Sequence, residues 1–186
     1  MATAPSSARL FVALDLPEEA RAELVSWRLG ALGGRDQLRL VDPAALHVTL
    51  VFLGHLPEAE IAGIASALDM PAVGVPRLRA IGVKPVPPRR PRLFALDLED
   101  EDGRAGRIQA ALSEALSAGG WYEPEKRPFW PHVTLARVRK GARVERFDLE
   151  PPPAEPWLAT AVTLYRSRLG RGGARYEALE RVSLAE

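Results

Sequence analysis

The chain alternates between short apolar runs and amphipathic stretches, with turn residues between them. Arg9–Leu14 (RLFVAL) is brief and apolar and reads as a strand. Pro17, Glu18 and Glu19 then open a helix, since proline suits a first turn and carboxylates suit the positive end of the helix dipole. Ala20, Leu24, Trp27 and Leu32 form its inward stripe, and Gly33-Gly34 ends it. Leu38–Val41 predicts a short strand before an Asp42-Pro43 turn, and His47–Leu53 (HVTLVFL) a strong one. Pro57–Leu68 reads as a second helix, with Ile61, Ile64, Ala65 and Leu68 on one side. Val73–Val83 is expected to be extended, and Pro85–Pro91 to be a stiff, basic connector. Arg92–Leu98 (RLFALDL) predicts a strand and Gly103–Ala118 a helix carried by Ile108, Leu112 and Leu116. A loop with Trp121 and Tyr122 leads to a strand at His132–Val138 (HVTLARV). Leu158–Leu169 and Ala174–Val182 close the pattern as two strands flanking a glycine turn.

Two of these segments repeat. Arg9-Leu10-Phe11 starts a strand and helix that lead to His47-Val48-Thr49-Leu50; Arg92-Leu93-Phe94 starts another pair leading to His132-Val133-Thr134-Leu135. Two of the three histidines share their next three residues, a coincidence of about one in a thousand at ordinary residue frequencies. Internal duplication explains it better. The expectation is one domain over residues 1–186, built from two lobes with repeat units of roughly 9–54 and 92–139. The fold class is α+β: each lobe a mainly antiparallel sheet with helices on its outer side, and an active cleft between.

On a strand, side chains at i and i+2 share a face. His47 and Thr49 therefore point one way while Val48, Leu50 and Phe52 point into a core; His132 and Thr134 repeat the arrangement. Facing lobes bring two imidazoles and two hydroxyls together. With a reference pKa near 6.5, one histidine can remove a proton while the other delivers one. Threonine hydroxyls can donate hydrogen bonds to phosphoryl oxygens. Symmetry alone does not tell acid from base.

Composition narrows the chemistry further. There is no cysteine, so disulfides, thiolate nucleophiles, iron–sulfur clusters and Cys-based zinc sites are excluded. Three histidines leave little room for a multi-histidine metal centre, and no metal or cofactor is expected. With 25 basic and 24 acidic residues the net charge is +1, so an anionic ligand must be held by a local patch. No run approaches the roughly 18 apolar residues of a membrane span. The first residues, interrupted by Asp15 and Pro17, do not read as an export signal. A cytoplasmic location, no membrane partner and a monomer are the expectations.

The segments RLFVALDLP, HVTLVFLG, PHVTLAR and LYRSRLGRGGARYEAL together resemble the two-histidine (2H) phosphoesterase superfamily, with its paired His-x-Thr-x motifs. More narrowly they resemble the bacterial and archaeal RNA 2′,3′-cyclic phosphodiesterases, long called 2′-5′ RNA ligases. The resemblance implies a hydrolase that opens 2′,3′-cyclic phosphate RNA ends, tRNA fragments among them, to 2′-phosphates. It implies that His47 donates a proton to the departing 3′ oxygen and that His132 activates water. Thr49 and Thr134 would hold phosphate oxygens. With an RNA 5′-hydroxyl as nucleophile, the same site would form a 2′-5′ linkage; no nucleotide-binding loop supports an ATP-dependent ligase.

The resemblance also places an arginine three residues beyond the second threonine, at Arg137. Strict alternation puts it on the face opposite His132, and a bulge or twist is needed to bring it round. Phe11, Phe129 and Trp130 are candidates for stacking on a terminal base or for core packing. Arg166, Arg168, Arg139 and Lys140 are candidates for the RNA backbone or for solvated strand edges. Tyr165 and Tyr176 are expected to be structural and His55 to lie in a solvated loop. Two rival functions stay open: the same chemistry on a small cyclic nucleotide or 2′-5′ oligonucleotide, and a non-catalytic RNA- or nucleotide-binding module.

Overall fold

A computed structural model describes residues 6–69, 74–145, 147–170 and 173–184. The strands are β1 (Ser7–Asp15), β2 (Leu38–Leu40), β3 (His47–Pro57), β4 (Arg77–Val86), β5 (Leu93–Asp100), β6 (His132–Val138), β7 (Trp157–Leu158), β8 (Ala161–Gly170) and β9 (Gly173–Ser183). The helices are α1 (Glu18–Leu32), α2 (Ile61–Ser66) and α3 (Arg104–Ala118). All strands join one antiparallel sheet in the order β7-β4-β5-β6-β3-β1-β8-β9, with β2 added beside β6. The expected lobes therefore share a continuous sheet.

The two halves meet between β3 and β6, where Val48↔Val133 is the one register pair. On either side the order runs outward alike: β6-β5-β4-β7 one way, β3-β1-β8-β9 the other. Leu10, Leu14, Val48, Leu96 and Val133 are fully buried, as are Leu32, Ile108, Leu112 and Leu116 of the helices. Each such side chain contributes roughly 1.5–3 kcal/mol by leaving water. The opposite sheet face is left for the site.

Two helix termini are satisfied locally. The Asp100 carboxylate accepts from the amides of Ala105 (3.2 Å) and Gly106 (2.8 Å), so the first turn of α3 has acceptors for its free N–H groups. At the end of α1, the Gly33 amide donates to the Leu29 carbonyl at 3.1 Å. Gly34 then takes φ +68°, the left-handed turn that glycine adopts without strain.

Several expectations shift. The helix expected at Pro57–Leu68 is confined to Ile61–Ser66, because β3 continues to Pro57 in register with Ser7 of β1. Strand pairing overrides the local pattern there. The expected connector at Pro85–Pro91 begins inside β4, whose Pro85 and Val86 pair with Phe94 and Leu93. Val73, where extended chain was expected to begin, lies outside the described residues, as do Arg171 and Gly172 of the glycine turn. Among the described residues no helix is long and apolar enough to cross a membrane.

The inward stripe of α1 also differs: it buries Leu24, Arg28, Ala31 and Leu32, while Trp27 is only partly covered. Arg28 is 2% exposed and donates from Nη1 to the Leu135 carbonyl at 3.3 Å. That carbonyl also accepts from the Val41 amide at 3.0 Å. Burial lowers the Arg28 pKa, and nearby Asp42 opposes the shift. Since the charge has no ion-pair partner among the described residues, its packing rather than its charge should stabilise the fold. Arg28→Met should then hold the urea midpoint, whereas Arg28→Ala should cost about 2–4 kcal/mol more through the cavity it leaves. Equal losses in both variants would show that the bond to Leu135 dominates.

Candidate active site

Strands β3 and β6 deliver the repeated motif to one cleft of about 320 Å³, lined by His47, Thr49, His132 and Thr134 together with Arg137. Both histidines are fixed in the same way. His47 Nδ1 donates to the Ala45 carbonyl and His132 Nδ1 to the Trp130 carbonyl, each at 2.8 Å. A carbonyl can only accept, so each neutral ring carries its proton on Nδ1 and keeps a bare Nε2. The Thr49 hydroxyl donates to His47 Nε2 at 3.0 Å.

The fourth residue of each motif explains the position of Arg137. In β6, Thr134 pairs with Ala95 and Ala136 with Phe94, so Leu135 is left out of register. In β3, Thr49 pairs with Ala13 and Val51 with Val12, so Leu50 is left out. Each bulge shifts the alternation by one and turns the residue five beyond the histidine to the cleft. That residue is Arg137 in β6 and Phe52 in β3, and both line the cleft. Phe52 does not point into the core as strict alternation predicts; it is 43% exposed, with the Arg9 guanidinium 4.6 Å over its ring.

Two aspartates that the sequence reading missed stand beside the histidines. Asp15 lies directly opposite His47 on β1, and Asp97 directly opposite His132 on β5. Both are buried. Asp15 accepts from Thr163 Oγ1 (2.9 Å) and Tyr165 Oη (2.7 Å) and pairs with Arg181 (3.2 Å). Asp97 accepts from Trp130 Nε1 at 2.6 Å and pairs with Lys84 Nζ at 2.6 Å. The signal was present as FVALDL against FALDL, residues 11–16 and 94–98. Counted back from the aspartates, the Arg-Leu-Phe triplets are one residue out of step. Phe11 shares the cleft face with Leu93, whereas Phe94 packs in the core against Phe147.

The aromatic candidates are held against the histidines. Phe11 is buried, with its ring centroid 4.8 Å from His47, 5.3 Å from Tyr165 and 4.8 Å from Tyr176. Trp130 stacks on His132 at 4.1 Å with 16° between the planes. Phe129 packs against the core. Tyr176, expected to be only structural, lines the cleft and meets His47 edge-on at 5.2 Å. Arg166 pairs with Glu58 and Glu177, and Arg168 with Glu177, so carboxylates already neutralise both. Arg139 and Lys140 are exposed just beyond β6. His55 is exposed but sits in β3 opposite Arg9, not in a loop. Among the described residues no group of three His, Cys, Asp or Glu is placed to hold a metal ion.

Burial pushes the His47 pKa down to about 4; the Ala45 carbonyl and Asp15 oppose this, while His132 and Arg21 add to it. Tyr165, half-buried and bonded to Asp15, is pushed up to about 12 and stays protonated. The His47 shift has a consequence for stability. Between about pH 6.5 and 4 the unfolded chain binds the His47 proton and the folded chain does not, so acidification through that window favours unfolding. His47→Gln should remove this penalty and reduce the stability lost between pH 7 and pH 4.5 by about 1–3 kcal/mol. Urea unfolding at the two pH values measures it, and equal losses in wild type and variant would contradict the shift.

Comparison with known proteins identifies the family. The model of the 2′-5′ RNA ligase superfamily matches residues 16–171. The RNA 2′,3′-cyclic phosphodiesterase of Thermus thermophilus is 36% identical over 190 residues, covering 95% of this chain and 90% of the relative. The enzyme of the same name from Escherichia coli is 30% identical, with 96% and 97% covered. Among solved structures, Escherichia coli LigT complexed with 3′-AMP superposes with a TM-score of 0.81 at 27% identity, covering 97% of this chain and all of that one. A protein of Thermus thermophilus gives 0.78 at 31% identity, with 95% and 97% covered. With two motif-bearing strands on one cleft and a family match across most of its length, the chain belongs to the 2′-5′ RNA ligase superfamily of 2H phosphoesterases.

Proposed function

We propose that the protein is an RNA 2′,3′-cyclic phosphodiesterase that converts cyclic ends to 2′-phosphomonoesters by two-histidine acid–base chemistry without a metal. The observation that carries this reading is the paired fixing of the histidines: both Nδ1 atoms are tied to a carbonyl two residues back, which leaves Nε2 as the working nitrogen of each ring in one cleft. Relatives at 36% and 30% identity bear that activity as their name.

His132 is the proton acceptor in this reading. Its bare Nε2 takes a proton from water as the water oxygen bonds to phosphorus. The bond from phosphorus to the 3′ oxygen breaks, and His47 Nε2–H delivers a proton to that oxygen, leaving the phosphate on the 2′ oxygen. Thr49, Thr134 and Arg137 hold the phosphoryl oxygens. As acid, His47 must be protonated, yet burial keeps it neutral at pH 7 in the free protein. The monoanionic cyclic phosphate supplies the opposing charge, and Asp15 supplies a second. An RNA 5′-hydroxyl in place of water would give the 2′-5′ linkage by the same steps.

Phe11 and Trp130 serve this site by packing the histidines: Phe11 covers His47 and Trp130 backs His132. We also infer that the alike halves descend from a duplicated lobe. The enzyme is read as a cytoplasmic monomer acting on RNA ends such as tRNA fragments, with no membrane partner.

The test supplies a 2′,3′-cyclic-ended oligonucleotide to the purified protein in chelator. A 2′-phosphate terminus is expected, with a bell-shaped dependence of kcat/KM on pH. His47→Ala and His132→Ala should each lower kcat by about 10²–10⁴. A 3′-phosphate product, full rate in either variant, or binding without turnover would overturn the proposal.

A further inference from the structure

The cleft is chemically unequal at its two ends. At one end the bulge presents Phe52; at the other it presents Arg137, and beside Arg137 stands a further arginine. Arg39, in the middle of β2, lies directly opposite Arg137 across an antiparallel pair and also lines the cleft. β2 has no counterpart in the second half, where the stretch between α3 and β6 carries no strand. The short strand therefore breaks the pseudo-symmetry of the sheet and adds a positive charge to one end of the cleft.

Two guanidinium groups directly opposite each other repel. Among the described residues, neither Arg39 nor Arg137 has an ion pair or side-chain hydrogen bond. Several arginines elsewhere are paired: Arg77 and Arg79 with Glu101, Arg104 with Asp102, and Arg168 with Glu177. The acidic residue of the cleft lining, Asp42, already accepts from the Ala44 amide at 2.9 Å. Gly173 lets the Arg39 side chain lie close: a Cβ there would stand 3.2 Å from Nη1. Arg39 is thus half-buried, lodged against Gly173 at the start of β9, and set beside the arginine assigned to the reacting phosphate. An arrangement of this kind suits two anionic groups one nucleotide apart.

We propose that Arg39 forms a second phosphate subsite, which binds the phosphate on the 5′ oxygen of the terminal nucleotide and so favours RNA ends over free nucleoside cyclic phosphates. This rests on the function proposed above and extends it to substrate selection. The backbone of the RNA would leave the cleft at the Arg39 end, away from Phe52.

The test compares adenosine 2′,3′-cyclic phosphate with and without a 5′-phosphate, in wild type, Arg39→Gln and Arg39→Lys. Wild type should prefer the 5′-phosphorylated substrate by about tenfold or more in kcat/KM, the effect expected of a charge-assisted contact. Arg39→Gln should bring that ratio close to one, and Arg39→Lys should keep part of it. Calorimetry with adenosine 2′-phosphate and adenosine 2′,5′-bisphosphate gives the same ratio for binding alone. Because each ratio is internal to one variant, a general loss of folded protein cannot imitate the result. A wild type without preference, or a ratio unchanged in Arg39→Gln, would overturn the subsite. If wild type turns over neither these substrates nor a 2′,3′-cyclic-ended oligonucleotide, the proposed function fails, and the binding ratio still decides the subsite.

Discussion

Val48 and Val133 face each other where the two halves of the sheet meet, and both are fully buried. Each is the residue after a motif histidine, so this one antiparallel register pair sets His47 across from Thr134 and Thr49 across from His132, with the two imidazoles on a diagonal of one face. The valines hold the core side of the junction while the imidazoles occupy its other face, as the period of a strand requires. Everything chemical in the cleft depends on that pairing. A slip of one residue in β3 or β6 would send a histidine into the core and a valine to the substrate.

Symmetry places the histidines, and departures from symmetry give them different surroundings. Asp15 is held by a threonine, a tyrosine and an arginine, whereas Asp97 is held by a tryptophan and a lysine. His47 packs against Phe11 and Tyr176; His132 is stacked on Trp130. A repeated motif yields two similar imidazoles, and acid–base catalysis needs two that differ. Only His47 gains aromatic cover from the β8–β9 hairpin, and its burial depresses the pKa. The two halves also differ in giving the cleft an arginine-rich end and an aromatic one.

Much of this was legible in the chain. The i, i+2 spacing of His47 with Thr49 and of His132 with Thr134 already put each pair on one face, and its recurrence pointed to a shared cleft. The bulges at Leu50 and Leu135 were not legible as such, because each depends on which residues of β1 and β5 stand opposite. Their trace was a pair of consecutive apolar residues, Leu50-Val51 and Leu135-Ala136, where alternation demands a polar one. Strict alternation therefore sends Phe52 to the core and Arg137 to the wrong face. Arg28 carries no such signal, because an arginine on an apolar helix stripe looks like an exposed interruption until its carbonyl partner in β6 is known. Arg39 was hidden for a similar reason: only the pairing of β2 with β6 sets it against Arg137.

The most direct test of two histidines converging on one phosphate is a ¹⁵N-histidine NMR titration of the protein with and without adenosine 2′-phosphate. If both rings face the bound phosphate, both should shift and titrate at higher pH in the complex, with the larger rise at His47 from its value of about 4 in the free protein. A response confined to one histidine, with the other titrating as in the free protein, would contradict a shared site.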